Sequence, residues 1–140
     1  MSNTTIDERF AKFIAKHHVL TLATVNSEGK PYVANCFYAY DKEENAIIFT
    51  SDSATLHAQQ MAADARVAIS IVLETKVVGR IEGIQICGTA KQGTAKDKLT
   101  YIARFPYAAV MPLNIWRVEP HFMKLTDNKL GFGKKLIWKS

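Results

Sequence analysis

Apolar and polar residues change rhythm several times along the chain, and each change marks an element. Ile6, Phe10, Phe13 and Ile14 recur at helical spacing. Thr5 followed three residues later by Glu8 forms a capping box, which predicts an amphipathic helix over residues 5–17. From Val19 the pattern becomes β-branched and apolar, "VLTLATV", and "NSEGKP" supplies the Asn, Ser, Gly and Pro of a tight connection into "YVANCFYAY". "DKEEN" turns the chain again into "AIIFT", so three consecutive strands form an antiparallel meander.

An alanine-rich helical stretch follows, and then "RVAISIVLE", whose run of apolar side chains predicts a central strand covered on both faces. "RIEGIQICGTAKQ" reads as a further strand, with Gly83 and Gly88 where a bulge or bend lets a sheet curl. Thr94 and Asp97 open another helix, which Pro106 ends by withholding a donor. "IWRVEP" and "FMKLTDN" read as two short strands separated by Pro120, and "KKLIW" closes the chain. No repeat or linker divides residues 1–140, so one domain is expected. Many strands, glycine-marked bends and short helices point to a mainly β fold, an antiparallel barrel with peripheral helices, because closure removes exposed edges.

Composition narrows the class. With 48% apolar and 22% charged residues among 140, the chain is neither disordered nor membrane-embedded, and "VAISIVL" is far too short to span a bilayer. The N-terminus lacks the pattern of a secretory signal, so a cytoplasmic location is expected. Cys36 and Cys87 form no CxxC pair and read as buried thiols. The net charge of +5 favours anionic partners at long range. Lys129, Lys134, Lys135 and Lys139 concentrate part of it near the C-terminus, where a solvated basic tail is the plain reading.

Candidate chemistry gathers in "IIFTSDSATLHAQQM". Thr50, Ser51, Ser53 and Thr55 sit where a strand gives way to a helix, so hydroxyls and free helix N–H groups converge on a place suited to an anion. His57 in the first turn adds a donor, and a charge if a phosphate raises its pKa. Ordinary N-capping by Ser53 or Thr55, with a solvent-facing histidine, accounts for the same residues. Gln85 lies inside an otherwise apolar strand, where a buried amide needs a partner from a ligand or a neighbouring strand. His17, His18, His57 and His121 lack the spacing and flanking cysteines of a metal site. "GFGKK" lacks the preceding glycine and following hydroxyl of a P-loop. With Tyr38, Tyr40 and the basic tail, it keeps open a nucleic-acid-binding module.

The succession "VLTLATVNSEGKPYVANCFYAYD", "IIFTSDSATLHAQQMAADARVAISI" and "IEGIQICGTAKQ" resembles the FMN-binding split barrel of the pyridoxamine 5'-phosphate oxidase-like superfamily. The ending "LTDNKLGFGKKLIW" is similar to a small, mostly uncharacterised bacterial branch of it. The resemblance covers nearly the whole chain. It implies a six-stranded antiparallel split β-barrel that binds FMN at a homodimer interface. By resemblance, Asn35, Cys36 and Phe37, with Thr50, Ser51, Thr55, His57 and Gln85, fall at cofactor-binding positions. His57 stands where a phosphate-binding lysine is usual, Leu56 where arginine often is, and Ala34 where the oxidases proper place an arginine.

The arginine and histidine that recognise the vitamin substrate in those oxidases are absent, because that region here reads "TDNKLGFGKK". Oxidation of pyridoxamine 5'-phosphate is therefore not expected, and Asp127, Asn128 and Phe132 are candidates for a different substrate pocket. The resemblance implies a flavin-dependent oxidoreductase acting on a small molecule. A split barrel holding another planar ligand, such as haem, is the alternative.

Overall fold

The computed structural model describes residues 6–128 and 134–140, and among them three helices surround a closed six-stranded antiparallel barrel. In chain order the elements are α1 (Glu8–Lys16), β1 (Val19–Val25), β2 (Pro31–Asp41), β3 (Ala46–Thr50), α2 (Leu56–Ala63), β4 (Arg66–Val72), β5 (Glu82–Gln92), α3 (Ala95–Arg104), β6 (Ile115–Asp127) and β7 (Lys135–Lys139). The sheet runs β3-β2-β1-β4-β5-β6-β7, and an additional β3–β6 pairing closes it. One edge of β6 thus serves two strands in succession, β3 along its first residues and β7 along its last. No helix among the described residues is long and apolar enough to cross a membrane.

The barrel is filled from alternate strand positions. Leu20 and Leu22 of β1, Tyr38 of β2, Ile47 and Phe49 of β3, and Ile84 and Ile86 of β5 point inward. Phe10 and Ile14 of α1 and Met61 of α2 join the same core. A second cluster forms on the outside, where Tyr101 of α3 and Phe105, which caps it, cover Ala39, Ile48 and Ile115. The α1 C-terminus is tied down by two side chains. Tyr38 donates its hydroxyl to the Ile14 carbonyl, and the Arg104 guanidinium donates to His17 O at 2.6 Å and Ala15 O at 3.1 Å. These bonds satisfy carbonyls that a helix end leaves open.

Four expectations from the sequence need correcting. The first helix starts at Glu8 and ends at Lys16, with Asp7 as its N-cap accepting from Arg9 N at 2.9 Å; Thr5 lies outside the described residues. The hydrogen bonds from Arg9 hold the Asp7 carboxyl down at about 2, so the cap is ionised and suited to the positive end of the helix. The strand covered on both faces is β3, whereas β4 alternates and leaves Ser70 and Val72 exposed. "IWRVEP" and "FMKLTDN" are one strand. Pro120 survives inside it because β6 bulges there: Gly88 faces Pro120 and Cys87 faces Phe122, so His121 is the extra residue. Cys87 is exposed, although Cys36 is buried as expected.

Gly88 marks this bulge for a steric reason. A Cβ there would come within 2.7 Å of Glu119 O and 2.8 Å of a Val118 methyl, while one at Gly83 would meet nothing closer than 3.5 Å. Gly88→Ala should therefore lower unfolding stability by about 1–3 kcal/mol in urea titration, and Gly83→Ala by clearly less. Equal effects at the two positions would contradict the close approach.

Candidate functional site

Chain order delivers the hydroxyl cluster to the place where the barrel closes. Thr50 is the last residue of β3 paired with β6, opposite Ile115. Beyond it the neighbour is Asn114, whose carbonyl accepts from Ser51 N at 3.0 Å and from the Thr50 hydroxyl at 3.2 Å, while its side-chain amide donates to Ser51 O at 2.8 Å. Ser51 is pinned and only 3% exposed. No local pattern flags Asn114, a polar residue 63 positions later that gains its role only through closure.

The next residues turn into α2. Thr55 is the N-cap: its hydroxyl donates to Asp52 O at 2.7 Å and accepts from Ala58 N at 3.3 Å. The capping account of Thr55 is thus correct. His57 instead folds back, its Nε2 lying 2.8 Å from the Ser51 hydroxyl. Burial lowers the His57 pKa, so its imidazole is neutral at pH 7 and bonds the hydroxyl as a dipole. On the barrel side, burial pushes the Cys36 thiol up to about 11, against the lowering effect of a hydrogen bond with Ser51. Cys36 is therefore a protonated thiol at the inner end of a Cys36–Ser51–His57 chain, unsuited to act as a nucleophile.

Strand alternation separates the three candidates on β2. Cys36 points inward, whereas Asn35 and Phe37 point out, Asn35 accepting from the Thr21 hydroxyl at 2.9 Å and Phe37 meeting the Phe105 ring edge-on at 5.8 Å. The backbone is what unites them. β3 pairs only with Tyr38 to Asp41, and Tyr38 N donates toward β1, to His18 O. By antiparallel alternation the N–H and C=O groups of Val33 and Asn35 point the other way, where no described strand lies. An open amide edge thus runs beside the Ser51–His57 corner.

Other candidates lie elsewhere. Gln85 points outward and is exposed, so it is no buried amide. β6 ends at Asp127, Asn128 just beyond it donates to Gly79 O at 2.7 Å, and with Lys16 and Arg80 the two line a separate pocket of about 610 Å³. Across the sheet, Lys124 near that end of β6 is level with Asn35 through Gln85, Ser70 and Thr21, so about four strand spacings, roughly 19 Å, separate the two regions. Phe132 lies outside the described residues.

The corner fits a heterocycle better than a phosphate. Open backbone groups on β2 suit the amide-like edge of a flat ring. At the helix end the donors are neutral: the Ser51 hydroxyl, the imidazole and the first N–H groups of α2. Leu56 and Ala34 bring no charge, and among the described residues no lysine or arginine bonds to Thr50, Ser51, Asp52, Thr55 or His57. Asp52 adds an exposed carboxylate instead. No described cluster of His, Cys, Asp or Glu could hold a metal ion.

Comparison with known proteins agrees with this architecture. Residues 6–126 match the family described as pyridoxamine 5'-phosphate oxidase. The UPF0306 protein YhbP of Salmonella newport is 40% identical over 131 residues, covering 91% of this chain and 88% of its own. Among solved structures, a heme binding protein from Mycobacterium smegmatis superposes with a TM-score of 0.81 at 17% identity, over 99% of this chain and 60% of that one. HutZ, the heme storage protein from Vibrio cholerae, gives 0.64 at 16% identity over 84% and 91% of the two chains. An FAD-binding protein from Mesorhizobium loti gives 0.68 at 15% over 85% and 90%.

Desolvation of His57 has a measurable sign. Its pKa lies below the ordinary 6.5 in the folded chain, so the unfolded chain takes up a proton first as pH falls. The stability of the neutral form is complete above 6.5 and is lost as pH drops toward the folded value; half-buried His17 contributes in the same direction. Thermal melts from pH 7.5 to 5 should show Tm falling, and less steeply in His57→Gln. An identical slope in the variant would place His57 in water.

Proposed function

The chain belongs to the pyridoxamine 5'-phosphate oxidase family, and from that premise we propose that it is a homodimeric FMN-binding protein, a flavin-dependent oxidoreductase for a small molecule other than pyridoxamine 5'-phosphate. The observation that carries this reading is the open backbone edge at Val33 and Asn35 beside the Ser51–His57 corner. The pyrimidine edge of a flavin alternates donors and acceptors much as a strand does, so it would complete β2 where β3 has left it. Ser51, His57 and the start of α2 would then take the ribityl and phosphate end. Bound flavin supplies electron or hydride transfer, and the protein supplies placement and polarity.

Support for a dimer comes from the outward face of the sheet. Val33 and Phe37 of β2 are 60% and 55% exposed and Val72 of β4 is 57% exposed, and the outward positions of residues 33–37, 19–23, 68–72 and 83–87 are all uncharged. Water is a poor neighbour for so much apolar area. A second copy on this face would cover it. A second copy is also the means by which the distant Asp127–Asn128 end could serve a site at the corner.

Haem is the second reading. It rests on the neutral His57, since an uncharged imidazole is the form that binds iron, and on the haem-binding neighbours of the same fold.

The visible spectrum of freshly purified protein, with mass spectrometry of what denaturation releases, separates the readings. FMN is expected, with the two-band flavin absorbance; a Soret band with released porphyrin would transfer the proposal to haem. His57→Ala should weaken FMN several-fold in a fluorescence titration, and light scattering should give twice the chain mass.

A further inference from the structure

A phosphate dianion at the Ser51–His57 corner would meet neutral donors and the Asp52 carboxylate, so the positive charge must come from another surface. Among the described residues, the outer face of β6 and β7 offers it without a carboxylate at the facing positions. On β6 and β7, Met123, Leu125 and Trp138 are buried on the inner side, which fixes Lys124, Lys135 and Lys139 on the outer side. Lys135 stands opposite Thr126, Ile137 opposite Lys124 and Lys139 opposite Phe122, and the facing β5 positions are Gly83, Gln85 and Cys87. Three ammonium groups thus share a patch about 13 Å long at the usual strand rise, with no carboxylate among its outward neighbours.

This cationic patch continues the uncharged outward face at its far flank. β2, beside the corner, ends that face on one side, and β6 and β7 end it on the other. Two copies meeting on such a face are related by a two-fold axis lying in the interface. If the axis ran across the strands, each strand would lie on its own copy and the two lysine patches would be stacked, six like charges with no counterion. If the axis runs along the strands between β1 and β4, β2 falls against the partner's β5 and the lysines are carried to opposite flanks. Each patch then reaches past the partner's β2, toward its open edge, Asp52 and the corner. Like-charge repulsion selects the second arrangement.

We infer that Lys124, Lys135 and Lys139 of one subunit supply the phosphate-binding charge for the flavin seated at the Ser51–His57 corner of the other. The inference rests on the FMN reading above and adds to it a source of charge in trans. It explains how a chain with Ala34, Leu56 and a neutral His57 around the corner could still hold a phosphorylated flavin: the cations come from the other subunit.

Comparing FMN with riboflavin isolates the phosphate. In the full-length protein, the triple variant Lys124→Gln, Lys135→Gln, Lys139→Gln should bind FMN at least about tenfold more weakly and riboflavin within about twofold of the parent. FMN affinity of the parent should also fall with salt while riboflavin affinity holds. Mixed dimers then locate the lysines. Pairing a triple-variant subunit with a His57→Ala subunit leaves one intact site and one doubly defective site if the lysines act in trans. Half the sites should therefore bind FMN with parental affinity.

Two weakened sites with none of parental affinity would place the lysines in cis and overturn the inference, as would a triple variant with unchanged FMN affinity. Loss of co-purifying RNA from the triple variant with flavin binding intact would overturn it in favour of a nucleic-acid surface. Parental protein that binds neither flavin would instead remove the FMN reading itself.

Discussion

Pairing of β3 with β6 closes the barrel, and the candidate site exists because of where that pairing stops. β3 is only five residues long, buried on both faces, and held between β2 and β6. Its short length leaves the Val33–Asn35 edge of β2 without a neighbouring strand and hands Ser51 to Asn114. Close main-chain packing at β6 makes closure possible. Gly93 N donates to Ile115 O at 2.7 Å, and a Cβ on Gly93 would overlap an Ile115 methyl, so a larger residue there would push the start of β6 away from its place beside β3. Nearby, Arg117 joins Glu44, before β3, to Asp97 of the α3 capping box, with separations of 2.7 Å and 3.4 Å. A buried cation of this kind is held to one arrangement, because leaving it unpaired costs several kcal/mol, on the order of 3–5.

Burial then sets the chemistry of the corner. Ser51, Cys36 and His57 are partly removed from water, which favours every uncharged form: thiol rather than thiolate, imidazole rather than imidazolium. The result is a polar but uncharged lining, suited to hydrogen bonding with a flat heterocycle and poorly suited to neutralising an ester phosphate. Among the described residues, charge near the corner is confined to the exposed carboxylate of Asp52, and the lysines of β6 and β7 lie on the outer face. In the arrangement proposed above, a phosphorylated ligand would meet two surfaces of different character, one half-buried and largely uncharged, the other exposed and cationic. The first would select the ring by shape and hydrogen bonding, and the second would act at longer range and be weakened by salt.

Local signals carried much of the architecture. Apolar patterning put a strand reading on every observed strand but divided β6 at Pro120, the Thr94–Asp97 pair and Pro106 bounded α3, and Gly88 pointed to the bend at which β6 bulges. Errors arose where a local rule met a tertiary neighbour. Pro120 reads as a strand break until the bulge opposite Gly88 removes the need for its N–H. "RVAISIV" reads as doubly buried although its Ser70 and Val72 face outward, and the cover on both sides falls instead on "AIIFT" and on Ile115 to Val118 of β6.

What the sequence by itself determined is the set of strands and helices, their antiparallel order, and the strand-to-helix junction at which hydroxyls and a histidine meet. These follow from periodicity and capping, which act over a few residues. Tertiary structure alone decided the rest. Asn114 became a clamp for Ser51, Asn35 and Cys36 parted to opposite faces, Gln85 was exposed, and His57 was rendered neutral by burial. Each depends on which chain segments become neighbours across dozens of residues, and on how much water they exclude when they do.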